Sequence, residues 1–122
     1  MTDTDKKTQL SAIEKAKGHF KDKIGGDLLH YYCKEWDLDI HYKATANLAV
    51  ENKIMSLQQQ GKTAEALVES VLSKALDKEG NLLFKPTDRA AFLHEVDPQV
   101  IIAIATKLNN ANADTVEDIV KN

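Results

Sequence analysis

Four groups of residues have types and spacings that could do chemistry. Gly61-Lys62-Thr63 matches the end of a phosphate-binding loop. The full motif needs a glycine five residues earlier, where Ser56 stands, and a strand before it, where the pattern reads helix. A glycine that ends one helix and a threonine that caps the next account for these residues better. His30 and Cys33 are spaced like a metal-ligand pair, with His41 within reach from a paired strand. A structural zinc site wants four ligands, normally as two close pairs, and positions three apart on a strand face opposite sides. Asp37 and Asp39 point the same way from one strand and could act as acid and base or hold a divalent ion. The solvated face of an amphipathic strand is the simpler reading, because no unusual polar group converges on them. The four histidines, His19, His30, His41 and His94, are scattered, and no nucleophile stands in the context of a triad. The sequence therefore gives no catalytic, cofactor-binding or metal site, and we expect a protein that is not an enzyme and takes no cofactor.

Nucleic-acid binding fares no better. Lys6, Lys7, Lys15, Lys17, Lys21 and Lys23 are offset by Asp3, Asp5, Glu14 and Asp22, and the whole chain carries a formal charge of -3. Trp36, Tyr31, Tyr32 and Tyr42 could stack on bases, but Lys and Arg do not alternate with them as a base-stacking platform would require. The lone Cys33 fits a reducing compartment. No secretory signal is visible, and the longest strictly apolar run, 100–105, is far shorter than a membrane span. These features predict a soluble cytoplasmic protein with neither nucleic acid nor membrane among its partners.

The elements that must position these residues follow from periodicity. The chain has 122 residues, 43% of them hydrophobic, which suits one domain with one core. We expect a polar, disordered segment over 1–7, a single domain over 8–110 and a polar tail over 111–122, with Val116, Ile119 and Val120 a weak amphipathic remnant in the tail. Leu10, Ile13, Ala16, Phe20 and Ile24 recur at helical spacing, and Gly25-Gly26 ends that helix. Leu28 to Tyr32 reads as a strand. Trp36, Leu38, Ile40 and Tyr42 alternate with polar residues as a second one, joined to it through Cys33-Lys34-Glu35. A helix capped by Thr45 runs to about Gln60, with Leu48, Ile54, Met55 and Leu57 as its apolar positions.

Thr63 caps the next helix. Ala64, Leu67, Val68, Val71, Leu72, Ala75 and Leu76 form its apolar stripe, and Glu65, Glu69 and Ser70 its wet face. A turn at 78–81 leads to Leu82-Leu83-Phe84. Thr87 then caps a short helix carrying Ala91, Phe92 and Val96. Asp97-Pro98 starts a last helix that is apolar almost all round, so it should be central or lie at an interface. The predicted fold is α+β and mainly α: one N-terminal helix, a β-hairpin, then a bundle of about four helices.

Several of these residues also carry a resemblance. From Ala16 onward, Phe20, Glu35, Trp36, Leu38, Ile40, Tyr42 and Lys43 follow the order of a helix ending in phenylalanine, a strand, a Glu-Trp corner and an alternating second strand. Leu83-Phe84, Thr87-Asp88 and the closing Leu108-Asn109 continue it. This order resembles the tail assembly chaperones of long-tailed, lambda-like bacteriophages, and it covers residues 12–110. Lys34 and Ala44 stand where that family commonly has prolines. The resemblance implies a non-enzymatic morphogenesis factor in the host cell cytoplasm. It would bind the tape-measure protein, recruit tail-tube (major tail) subunits and be absent from the finished virion. It also implies a longer form made by ribosomal frameshifting. That form and a second copy of the chain join the expected partners.

For such a carrier the candidate partner-binding residues are Tyr31, Trp36, Leu38, Tyr42, Leu67, Val71, Leu72, Phe84 and Phe92. Apolar stripes at 67–76 and 100–108 would form groove walls for a partner helix, and the hairpin edge could pair with strands of the tube protein. A core role explains the stripes equally well. The competing reading is a small structural tail or head–tail connector component.

Overall fold

The computed structural model describes residues 10–111. Among them are five helices and one antiparallel hairpin, which makes the fold α+β and mainly α. The order is α1 (Ala12–Ile24), β1 (Leu29–Cys33), β2 (Leu38–Tyr42), α2 (Leu48–Gln59), α3 (Thr63–Lys74), a 3-10 turn (Pro86–Asp88), α4 (Arg89–His94) and α5 (Pro98–Asn109). The expected segment 1–7 lies outside the described residues, and so does the expected tail 111–122 except for Ala111, which is buried.

The hairpin pairs Cys33 with Leu38 and Leu29 with Tyr42. Cys33 therefore belongs to the strand, and the connection is Lys34–Asp37, one step later than the sequence suggests. Trp36 and Asp37 sit in this turn and not in the second strand. Asp37 adopts a positive φ of 47°, a conformation that asparagine and aspartate tolerate best after glycine. Its carboxylate accepts the Tyr32 hydroxyl proton, and this hydrogen bond, first among the causes, holds the phenol above its ordinary pKa. Asp37 and Asp39 are thus not neighbours on one strand face. Asp39 instead pairs with His30 Nε2 at 2.8 Å. His30 is exposed and Cys33 fully buried, so these two residues do not converge.

Three helix starts differ from the expected ones. Asn47, not Thr45, caps α2: its Oδ1 accepts the Val50 N–H at 2.9 Å, while the Thr45 hydroxyl turns to the Ala46 carbonyl. Lys62 occupies the cap of α3, without a side-chain bond, and Thr63 is the first helical residue. Thr87 lies inside the 3-10 turn, where Asp88 Oδ2 accepts the Lys85 N–H at 2.8 Å. The α5 start is as expected, with Asp97 Oδ1 accepting the Gln99 N–H at 2.9 Å ahead of Pro98. Between α2 and α3, Gly61 takes φ 76°, which a side chain would strain.

α3 is the central helix. Val68, Val71 and Leu72 are buried on it, and so are Glu69 (6% exposed) and Ser70 (0%), the residues assigned to a wet face. The helix is enclosed because α2, α4 and α5 all pack against it. Polar side chains there survive burial only when their hydrogen bonds are met. Ser70 Oγ donates to the Ala66 carbonyl at 2.9 Å and accepts from Asn109 Nδ2 at 2.9 Å. Glu69 is held by Arg89 at 2.6 Å, Ser73 Oγ at 2.6 Å and Lys53 at 3.4 Å. One helix is thereby tied by polar bonds to α2, α4 and α5. Ala64, expected in the buried stripe, is exposed, and so are Leu48 and Met55 on α2.

α3 stops at Lys74 because Ala75 turns extended, with ψ 125°. Leu76 then pairs with His41 through two backbone bonds of 2.9 and 2.7 Å, extending the hairpin by one rung. This places β2 against the end of the central helix. The core runs from Cys33, Ile40 and Tyr42 on the hairpin through Val68, Val71 and Leu72 to Val100, Ile101, Ile104, Ala105 and Leu108 on α5. α5 keeps one wall open, with Ile102 and Ala103 exposed.

Candidate groove between the first helix and the core

α1 is a regular amphipathic helix, capped by Ser11 Oγ accepting the Glu14 N–H at 3.2 Å. Its apolar face is nonetheless uncovered. No residue of α1 is buried, and Ile13 is 63% exposed. Burial of an apolar face is what normally stabilises a helix of this length in water. Phe20 and Ile24, in its last turn, are half-buried and lean over an open cavity of about 350 Å³.

The opposite walls come from five places. The extended link 43–47 supplies Ala44 to Asn47, and α2 supplies Val50. The rung after α3 supplies Leu76, the following turn Leu82, and the end of α5 Leu108. Leu82 is 57% exposed although its neighbours Leu83 and Phe84 pack on the core. At the polar end of the groove Lys74 Nζ is held between Glu51 (2.7 Å) and Asn109 Oδ1 (2.8 Å). A shallower annex of about 280 Å³ continues past His19 and Lys23 to Leu48, which is 77% exposed. Phe20, Ile24, Val50, Leu76, Leu82 and Leu108 give the groove its apolar wall, with Lys43, Thr45, Asn47, Glu51, Ser73, Lys74 and Asn109 set among them. Such a site can accept a segment whose apolar residues recur at helical spacing.

The expected partner-binding residues lie elsewhere. Tyr42, Val71, Leu72 and Phe92 are buried in the core, and Tyr31, Trp36, Leu38, Leu67 and Phe84 are half-buried against it. Trp36, Phe84 and Phe92 form one cluster. Trp36 stacks on Phe92 at 6.1 Å between centroids, and Phe84 meets Phe92 edge-on at 4.9 Å. This cluster fastens the hairpin turn to the segment before α4. None of these residues lines the groove. The sequence did carry a signal for the groove, in the helical spacing of Phe20 and Ile24, but not for its far wall.

No helix among the described residues is long and apolar enough to cross a membrane. Comparison of the chain with protein-family models, with curated proteins and with solved structures gives no match.

Proposed function

We propose that this chain is a tail assembly chaperone of a long-tailed bacteriophage, a non-enzymatic carrier acting in the host cytoplasm. The observation that carries the proposal is the open groove under α1, where Phe20, Ile24, Val50, Leu76, Leu82 and Leu108 line a cavity of about 350 Å³ beside the core. The order of Phe20, the hairpin, Leu83-Phe84 and Leu108-Asn109, with its resemblance to that family, supplies the identity of the partner. A tape-measure protein is a long helical chain with apolar stripes, which aggregates unless those stripes are covered. Helix-in-groove binding covers one stripe at a time, and the outer strand β1 offers backbone groups to a strand of the tail-tube protein. In this reading neither catalysis nor nucleic acid has a part.

The test is co-expression with the cognate tape-measure and tail-tube proteins, reading solubility and co-purification. The tape-measure protein is expected to become soluble in a complex with this chain. Leu82→Asp puts a charge in the groove at an exposed position and should abolish the complex while leaving the fold intact. A folded chain that binds neither protein would overturn the proposal. Finding the chain in purified virions would assign it to a structural tail or connector component.

A further inference from the structure

The groove and the chain differ in the sign of their charge. The whole chain carries a formal charge of -3. The charged residues that line the groove and its annex are three lysines, Lys23, Lys43 and Lys74, and one acid, Glu51. That acid is already paired, with its Oε1 at 2.7 Å from Lys74 Nζ. Asn109 Oδ1 accepts a second proton of the same ammonium at 2.8 Å. An ammonium has three N–H donors, so one is left without a partner among the described residues. The Lys74 side chain is only 10% exposed, and an unmet donor costs more there than on open surface. Lys23 and Lys43 are exposed and make no ion pair among the described residues. The nearby Asp77 does not offset them, because its Oδ1 accepts the Glu79 and Asn81 N–H groups at 2.9 and 3.0 Å within its own turn.

The same combination continues along α1. Ile13, Phe20 and Ile24 fall in one row on that helix, and Ile13 carries the row beyond the groove. From Ile13 to Ile24 the row is about 16 Å long, roughly three helical turns. Lys17 stands within it, and Lys21 and Lys23 stand to either side. The acids of α1 are elsewhere: Glu14 is in the first turn, away from the groove, and Asp22 is on the far face. An apolar row several turns long, bordered by cations at helical spacing, is matched by a helix with the opposite charge beside its own apolar row.

We propose that the groove under α1 takes an acidic amphipathic helix, a partner segment whose apolar row packs on Phe20, Ile24 and Leu82 and whose Asp and Glu side chains pair with Lys23, Lys43 and the remaining proton of Lys74. This rests on the carrier reading of the groove and adds the charge of what it carries. The apolar row supplies area and the lysines supply selection, since a basic helix of the same shape is repelled at the groove. A chain that is negative overall thereby attracts an acidic partner to one place only.

Two synthetic helical peptides of about eighteen residues, with one leucine row and either glutamates or lysines beside it, test this against the isotope-enriched whole chain. The glutamate peptide should bind about tenfold more tightly, or better, and move the NMR signals of Phe20, Ile24 and Leu82 while those of Trp36 stay in place. Added salt should narrow the difference. Lys43→Glu, at an exposed position, should weaken the glutamate peptide roughly three- to tenfold, and Lys23→Glu on top of it should weaken it further. Equal affinity for the two peptides overturns the proposal and leaves the carrier reading in place. Binding of neither peptide also overturns it, and co-expression with the tape-measure protein then judges the carrier reading on its own. The same signals moving with dodecanoate and with neither peptide would make a lipid-like anion the occupant. Their moving when the chain alone is concentrated would make it a second copy, and either result overturns the proposal.

Discussion

Glu69 is a carboxylate inside a helical core, and its protonation is coupled to folding. Burial by itself raises its pKa. The hydrogen bonds from Ser73 and Arg89 and the charge of Lys53 outweigh burial and hold the group below the ordinary carboxylate range. Its pKa is therefore lower folded than unfolded, so its contribution to stability is complete above the unfolded value. That contribution is lost as pH falls through the folded value. Glu69→Gln is expected to cost about 1–3 kcal/mol at neutral pH. The difference between the two proteins should shrink below about pH 4.3, the ordinary glutamate value. Urea denaturation at a series of pH values measures both effects, and a pH-independent difference would contradict the coupling. Asp37 makes a second prediction of this kind. At φ 47° a β-branched side chain is strained, so Asp37→Val should cost roughly 1–2 kcal/mol, whereas Asp37→Asn should change little. Equal urea midpoints for the two variants would count against the turn geometry.

At the scale of elements, a two-stranded hairpin is not stable alone in water and needs a surface to pack on. Here the surface comes from the end of α3 through the Leu76 rung and from the Trp36, Phe84 and Phe92 cluster. Trp36→Ala should cost about 2–3 kcal/mol, less than a fully buried tryptophan because Trp36 is only half covered. Loss of near-ultraviolet dichroism with retained helix content would show that the hairpin end has loosened first. α1 behaves differently, since none of its residues is fully buried and Ile13 is 63% exposed. Ile13→Asp should leave the denaturation midpoint within about 0.5 kcal/mol of the parent, as for a surface site. A larger loss would mean that α1 is covered by something the described residues do not include.

For the molecule as a whole, the element order and most apolar faces were legible because they depend on local periodicity. The alternation from Leu38 to Tyr42, the Asp97-Pro98 start and the Gly61 stop act within a few residues, and local sterics decide them. The place of Trp36 was harder to read. It continues the alternation of the strand, yet the turn begins one residue later than turn composition suggests, because Cys33 pairs with Leu38. The expected binding residues are large apolar groups in clear stripes. Burial is what such stripes normally serve, and most of these residues went to the core. What the sequence by itself determined is the set of elements: one helix, a hairpin, four more helices and one apolar core. Only the tertiary structure decided that Glu69 and Ser70 are inside and that a groove remains under α1. Both depend on how many neighbours surround a helix. α3 is packed by three helices and must satisfy its polar residues internally, while α1 has one open flank, and no local pattern of residues distinguishes these two surroundings.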